Sequence, residues 1–171
     1  RLMDYDGPSL FLWALWGLLL VVGAPALAAT MSGVVIVVID GDTVLFKPDH
    51  YGTASRAFLK IRLADIDAPE KNQPYGEAAT RELTALLLNQ RATLETVATD
   101  AYGRAIARLR TDALQVNTEL VRRGLAWAPS RKHPELKALQ QEARLARRGL
   151  WQDAEPVPPW VWRREYSAIA H

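Results

Sequence analysis

The order of strand and helix patterns in this 171-residue chain predicts a mainly β, α+β fold: a five-stranded Greek-key barrel with three helices. Three observations support this prediction. Five segments carry β-branched or alternating residues, one helical pattern follows the third strand, and two helical patterns follow the fifth. A small α+β sheet packed against helices is the alternative fold.

The first three predicted strands are short and separated by turns and loops. Residues 31–39 are a β-branched run that ends in an Asp-Gly turn, and strand character resumes over 43–46, which predicts two strands joined tightly. Residues 47–56 contain proline, aspartate and glycine and predict an exposed loop. Residues 57–66 then return to strand composition.

The remaining predicted elements are a helix, two strands and two helices, at residues 77–88, 91–97, 105–110, 116–123 and 134–149. The helical segments place apolar residues at helical spacing, and the two strands alternate apolar and polar residues on either side of a turn. Glycines at 124 and 149 end the last two helices. This order fits a small barrel of the oligonucleotide-binding kind.

The N-terminal 29 residues carry an apolar run that predicts a cleaved secretory signal peptide. Residues 10–24 are almost wholly apolar but shorter than the ~20 residues of a membrane span. Ala26 and Ala28 match the small residues that precede a signal cleavage site. An uncleaved membrane anchor is the alternative. We therefore expect a periplasmic or secreted protein, or one tethered to the membrane.

The rest of the chain predicts one compact domain at residues 30–151 and a Pro/Trp-rich tail at 152–171. Because prolines interrupt helices, we expect the tail to lie extended along the domain, with Trp160 and Trp162 as packing anchors. The formal net charge of +2 suits a polyanionic partner. The absence of cysteine excludes disulfides and thiolate metal sites.

Two carboxylates at strand ends are candidate ligands for a cation. Asp42 follows the first tight turn, and Asp67 ends the third predicted strand just before a proline. Together with the backbone carbonyl of Ala68 they offer the oxygen-only ligation that calcium or magnesium accepts. The alternatives are a plain hairpin turn for Asp42 and a solvated acidic edge, because the strand would place Asp65 and Asp67 on one face.

One further carboxylate and two arginines have the chemistry to act on a phosphate. Glu70 lies just past the proline, where it could accept a proton from a water beside the cation; alternatively it caps the next helix or pairs with Lys71. Arg62 lies inside a predicted strand and Arg104 follows a turn. Their guanidinium forks match phosphate oxygens, although a single arginine is more often a surface residue.

The relative positions of Arg62 and Asp67 predict an irregularity in the third strand. The two residues have opposite parity, so a regular strand would point them to opposite faces of the sheet. A shared site therefore requires a bulge or sharp bend between Ala64 and Asp67. An unbroken strand with the two side chains on opposite faces would contradict the shared site.

These motifs together resemble the calcium-dependent staphylococcal nuclease (thermonuclease) family over residues 34–151. The segments that carry the resemblance are, in chain order, residues 38–43, 62–70, 75–76, 100 with 102–104, 116–117, 120–122 and 124–126. The resemblance implies an oligonucleotide-binding barrel and calcium-assisted hydrolysis of DNA and RNA, with 3′-phosphorylated products. We expect single-stranded or unpaired regions to be favoured, and a monomer without an obligate protein partner.

The resemblance also implies roles for individual residues. These are calcium ligation by Asp42, Asp67 and the backbone carbonyl of Ala68, general-base catalysis by Glu70, and stabilisation of phosphate charge by Arg62 and Arg104. Candidates for supporting or substrate-contacting roles are Asp40, Thr43 and Tyr102. Aromatic residues that the family carries after the 124–126 segment are not evident here. The rival interpretation is a non-catalytic nucleic-acid- or protein-binding module on the same barrel.

Overall fold

The computed structural model describes residues 30–167. The predicted signal peptide, residues 1–29, lies outside the described residues. Among residues 30–167, no helix combines the length and the apolar character that a membrane crossing requires.

The described residues form a closed five-stranded barrel with four α-helices, which confirms the predicted fold class. The strands are β1 (Thr30–Val38), β2 (Thr43–Pro48), β3 (Leu59–Leu63), β4 (Arg91–Thr99) and β5 (Ala105–Arg110). The helices are α1 (Gly76–Leu87), α2 (Val116–Arg122), α3 (Pro134–Leu145) and α4 (Pro159–Ser167), with short 3-10 turns at Asp49–Tyr51 and Gly149–Gln152.

The strands follow one another around the barrel in the order β1-β2-β3-β5-β4, and β1 and β4 close it. All neighbours pair antiparallel except β3 and β5, which are parallel. Alternate residues point inward, so Val44 and Phe46 of β2 are fully buried. On α1, Ala79, Leu83 and Leu87 share one buried face against the barrel.

The predicted bend after β3 is confirmed, and it makes this strand shorter than the expected 57–66. Pairing stops at Leu63, and Asp65 takes a left-handed backbone conformation with φ of +65°. Buried Asn117 of α2 fixes the turn, because its Nδ2 donates to the Ala64 carbonyl at 2.8 Å while its Oδ1 accepts from the Leu109 N–H at 3.1 Å. The bend aims Arg62 and Asp67 into one site.

The expectation that Asp65 and Asp67 share a strand face is wrong. Since the strand has already ended, the two carboxylates turn to different neighbours. Asp65 accepts from Arg108 Nε at 2.8 Å and lies 3.0 Å from His133 Nε2. Asp67 instead faces Arg62, so no solvated acidic edge forms at this position.

The predicted extended tail and the count of three helices are wrong, because the tail contains α4. Proline is tolerated as the first residue of a helix, where its missing N–H has no intrahelical partner, and Pro159 occupies that position. The segment is tied to the domain by Gln73 Nε2, which donates to the Val157 carbonyl at 2.6 Å. Trp160 packs edge-on against Trp127 at 5.6 Å, in agreement with the expected anchoring role.

The last predicted helix, 134–149, is also shorter than expected. Helix α3 ends at Leu145, and Arg147 adopts a positive φ of 50° before the next 3-10 turn. The helix thus ends four residues before the glycine at 149 that was expected to end it.

Candidate active site

Arg62 links the two carboxylates that were predicted to bind a cation. Its Nη2 lies 3.1 Å from Asp42 Oδ2 and 3.0 Å from Asp67 Oδ1. Its Nη1 donates to the carbonyls of Leu63 and Ile66, at 2.8 and 3.1 Å. These carbonyls are within reach because the chain turns back after β3, so the bend itself holds the guanidinium in the site.

Asp42 is a buried carboxylate held by the turn between β1 and β2. Its backbone N–H donates to Asp40 Oδ1 at 3.1 Å, and the Thr43 hydroxyl donates to its Oδ1 at 3.3 Å. Its Oδ2 accepts from the Ala68 N–H at 2.7 Å. Burial raises the pKa of Asp42 to about 7, and nearby Arg62 offsets only part of that rise.

The turn before Asp42 leaves no room for a side chain. A Cβ on Gly41 would lie 2.7 Å from the Cβ of Ala68 and 2.8 Å from that of Ala79. Close approach of the turn to α1 and to the bend therefore requires glycine at this position. This contact explains the Asp-Gly-Asp sequence better than a solvent-exposed hairpin turn does.

Asp67 is held through its backbone and both carboxylate oxygens. Its N–H and carbonyl pair with those of Trp127 at 2.9 and 2.8 Å, which fastens the bend to the segment after α2. Its Oδ1 accepts from Arg62 and from Arg163, and its Oδ2 accepts from Arg163 at 2.8 Å. Asp67 is 6% exposed, so these charge-assisted hydrogen bonds replace most of its hydration.

Glu70 lies at the start of the loop that leads to α1. Its backbone N–H donates to Gln73 Oε1 at 3.0 Å. Its side chain neither caps α1 nor pairs with Lys71 among the described residues, because its Oε1 accepts from Arg163 Nη1 at 2.6 Å. The carboxylate thus faces the cleft, as a proton acceptor for a bound water requires.

Arg104 and Tyr102 occupy the turn between β4 and β5. Arg104 Nε donates to Asp100 Oδ2 at 2.7 Å, and Asp100 Oδ1 accepts from the backbone N–H groups of both Tyr102 and Arg104. The Tyr102 ring is 86% exposed and lies 5.6 Å from the Arg104 guanidinium. This turn therefore presents one guanidinium and one open aromatic face.

These residues surround one cleft of about 420 Å³. Its lining residues are Asp40, Asp42, Thr43, Arg62, Ala68, Pro69, Glu70, Tyr102, Arg104 and Arg163. Every sequence-predicted site residue lines the cleft except Asp67, which lies against two of the lining arginines. The structure therefore brings together segments that are far apart in the sequence.

Arg163 is the cleft residue that the sequence analysis missed. It comes from α4, in the segment that was expected to be an extended tail. A signal was present, since no proline follows Pro159, and two arginines lie three and four residues after Trp160, at helical spacing. Nothing in the sequence indicated that this helix would reach Asp67.

The donor set of the cleft fits a hard cation. Its oxygen ligands are the carboxylates of Asp42, Asp67 and Glu70, with Ala68 beside them, and burial keeps the pKa of Asp42 raised even next to Arg62. Within residues 30–167 no three Asp, Glu or His side chains are grouped as ready metal ligands. A cation would therefore use two carboxylates together with backbone or water oxygens, and would displace arginine N–H groups from them.

Carboxylates and guanidiniums lie together in one open cleft of this barrel, and these are the groups that phosphodiester hydrolysis uses. Residues 60–153 match the sequence model of a protein family whose description is staphylococcal nuclease homologue. The chain belongs to this staphylococcal nuclease family, which confirms the resemblance seen in the motifs. It is a hydrolytic nuclease, and its substrates are nucleic acids.

Individual relatives agree with this assignment. An uncharacterized endonuclease of Escherichia coli O157:H7 is 42% identical over 142 residues, which are 81% of this chain and 89% of that protein. A micrococcal nuclease of Shigella flexneri is 32% identical over 158 residues, covering 85% of this chain and 87% of that protein. An uncharacterized endonuclease of Haemophilus influenzae is 33% identical over 133 residues, which cover 77% of this chain and 72% of that protein.

Proposed function

We propose that this protein is a calcium-dependent nuclease that hydrolyses phosphodiester bonds of DNA and RNA, preferring single-stranded or unpaired regions. The observation that carries the proposal is the shared contact of Asp42 and Asp67 with one nitrogen of Arg62, in the same cleft as Glu70 and Arg104. Family membership supports calcium as the cation, and the oxygen-only donor set is compatible with it.

Asp42, Asp67 and the Ala68 carbonyl would hold the cation. When bound, calcium supplies positive charge that polarises the phosphate and makes a nearby water more acidic. Glu70 accepts the proton of the attacking water as the new P–O bond forms. The bond between phosphorus and the 5′ oxygen breaks, the 5′ oxygen takes up a proton, and the product keeps a 3′ phosphate.

The two predicted catalytic arginines act on charge that grows during the reaction. Arg62 and Arg104 line the cleft from β3 and from the turn before β5. Their N–H groups donate to the non-bridging phosphate oxygens and to the leaving oxygen as negative charge builds there. Because the Arg62 guanidinium is held by two backbone carbonyls, it is oriented before substrate arrives.

The experiment is digestion of single-stranded DNA and RNA with calcium and with a chelator, followed by analysis of the product ends. We expect cleavage in calcium, none with chelator, and 3′-phosphorylated products. Equal cleavage under both conditions would contradict a metal-dependent enzyme. Binding of nucleic acid without cleavage in either condition would favour the non-catalytic module.

We also propose that the chain is exported, on the basis of the apolar run at residues 10–24 and the small residues that follow it. N-terminal sequencing of the mature protein tests this directly. Ala29 or Thr30 as the first residue indicates cleavage, whereas a retained N-terminal segment in a membrane fraction indicates the tethered form. Sedimentation of the purified protein tests the expected monomer.

A further inference from the structure

Arg163 lines the catalytic cleft but lies beyond residues 60–153, which the family model matches. Its guanidinium donates hydrogen bonds to two carboxylates, those of Asp67 and Glu70. Nη1 and Nη2 lie 3.1 and 2.8 Å from the two oxygens of Asp67, and Nη1 lies 2.6 Å from Glu70 Oε1. All three hydrogen bonds are charge-assisted, and the pair with Asp67 is bidentate, a strong arginine–carboxylate geometry.

The helix that carries Arg163 is attached to the domain through a few side-chain contacts. Pro159 is buried, Trp160 packs edge-on against Trp127 while remaining 40% exposed, and Trp162 Nε1 donates to Asn72 Oδ1 at 3.3 Å. These contacts anchor the helix beside the cleft, which Arg163 lines. The Arg163 side chain is 45% exposed at the end of a long flexible stem, so its guanidinium can move while the helix stays in place.

The carboxylates that Arg163 contacts are those that the proposed function needs for other ligands. The positive guanidinium of Arg163 competes with a cation for Asp67, because it already donates to both carboxylate oxygens and would repel a second positive charge beside them. The contact of Arg163 with Glu70 Oε1 stabilises the charged carboxylate and so makes Glu70 a weaker proton acceptor. A cation bound at Asp67 would therefore favour movement of the guanidinium away from these oxygens, and the substrate's phosphates are the anions that enter the same cleft.

We propose that Arg163 is a third phosphate-binding arginine of the active site, which neutralises Asp67 and Glu70 until cation and substrate bind. This inference rests on the proposed function. Its ligand is a phosphate of the nucleic-acid backbone, at the scissile position or next to it. The guanidinium fork suits such a group, whereas a lysine would supply the charge without the bidentate geometry.

The test uses Arg163→Ala and Arg163→Lys, with Arg164→Ala as the matched control. Arg164 is exposed on the same helix and makes no side-chain hydrogen bond or ion pair within the described part of the chain. Calorimetry measures the Kd for calcium alone, and then for a nucleoside 3′,5′-bisphosphate at saturating calcium. This second probe carries phosphates but no phosphodiester bond to cleave. Thermal unfolding checks that each variant is folded.

For Arg163→Ala we expect calcium to bind about 10-fold more tightly, because a competing charge-assisted pair is gone, and the bisphosphate to bind about 10-fold more weakly. Arg163→Lys should fall between this variant and the wild type, and Arg164→Ala should leave both constants within about twofold.

Three outcomes would overturn the inference. Unchanged affinities would show that Arg163 does not act in the site. Tighter calcium binding with unchanged bisphosphate affinity would show that Arg163 competes with the cation but does not bind the substrate's phosphate. Weaker binding of both probes with a lower melting temperature would make it a packing residue. The wild-type protein separates this inference from the proposed function. If the wild type binds no calcium, both are wrong. If the wild type binds calcium and Arg163→Ala leaves the affinities for calcium and bisphosphate unchanged, only the inference about Arg163 is wrong.

Discussion

The backbone N–H of Ala68 donates to the Asp42 carboxylate at 2.7 Å, which joins the turn after β1 to the bend after β3. This bond fixes the orientation of a carboxylate that is 7% exposed. It also places the rest of the bend, including Asp67, beside the first turn. The site therefore depends on the backbone geometry of two turns as much as on its side chains.

Asp42→Asn should stabilise the cation-free protein at alkaline pH. Because burial raises the pKa of Asp42 to about 7, the folded wild type binds a proton more tightly than the unfolded chain. The stability from this group is fully present below the unfolded pKa and is lost as pH rises through about 7. Asparagine removes the buried charge, so we expect a gain of roughly 1–3 kcal/mol at pH 8, which shrinks toward pH 4.

Urea denaturation in chelator at pH 5 and pH 8 measures this difference, with exposed Glu165→Gln as the control variant. If Asp42 ligates calcium as proposed, calcium should make the wild type more stable than Asp42→Asn at pH 8, because a ligand stabilises the folded chain that binds it. A less stable Asp42→Asn protein in chelator at pH 8 would show that the buried charge is already compensated.

Asn117→Ala should destabilise the fold and loosen the bend. Its side chain satisfies the buried Ala64 carbonyl and the Leu109 N–H, and both would lose a partner. We expect a loss of roughly 2–4 kcal/mol in the free energy of unfolding, measured by urea denaturation. Asn72→Ala is the control, since that side chain makes one longer bond near the surface. Equal costs for the two variants would refute a special role for Asn117.

Arg62→Lys should lower kcat/KM on single-stranded DNA by roughly 10²- to 10³-fold, because an ammonium cannot reach two carboxylates and two carbonyls while facing a phosphate. Arg108→Lys is the matched control. Arg108 pairs with Asp65 outside the cleft lining, so its replacement should change kcat/KM less than about tenfold. A similar loss in both variants would mean that the guanidinium of Arg62 has no particular function.

Tyr102→Ala should weaken substrate binding without affecting stability. The ring is exposed beside Arg104 and can stack on a base, an interaction worth roughly 1–3 kcal/mol. We expect KM for an oligonucleotide to rise severalfold or more with little change in the urea midpoint. Phe58→Ala, a half-exposed aromatic outside the cleft lining, serves as the control. An unchanged KM would remove Tyr102 from the substrate path.

Much of the site could be predicted from sequence because its residues sit at element boundaries. The parity of Arg62 and Asp67 required a bend, and the structure places one there with Asp65 at positive φ. Sequence spacing could not show which way Asp65 would turn, since that depends on Arg108 and His133 from distant segments. Proline patterns suggested an extended tail, whereas Pro159 occupies the one helical position that proline favours.

Arg163 could not be predicted because its place in the cleft depends on how α4 docks. That docking rests on contacts across the whole chain, such as Gln73 with Val157 and Trp160 with Trp127. Neither pair has a local sequence signature. The presence of a third arginine in the cleft therefore could not be predicted from the sequence.

The proposed general base is tested by the activity of Glu70→Gln on single-stranded DNA in calcium, compared with that of the exposed control Glu77→Gln. The proposed mechanism predicts that Glu70→Gln lowers kcat by roughly 10²- to 10⁴-fold while calcium still binds, because the proton acceptor is lost and the proposed ligands Asp42 and Asp67 remain. A Glu70→Gln protein that cleaves DNA as fast as the wild type would contradict it.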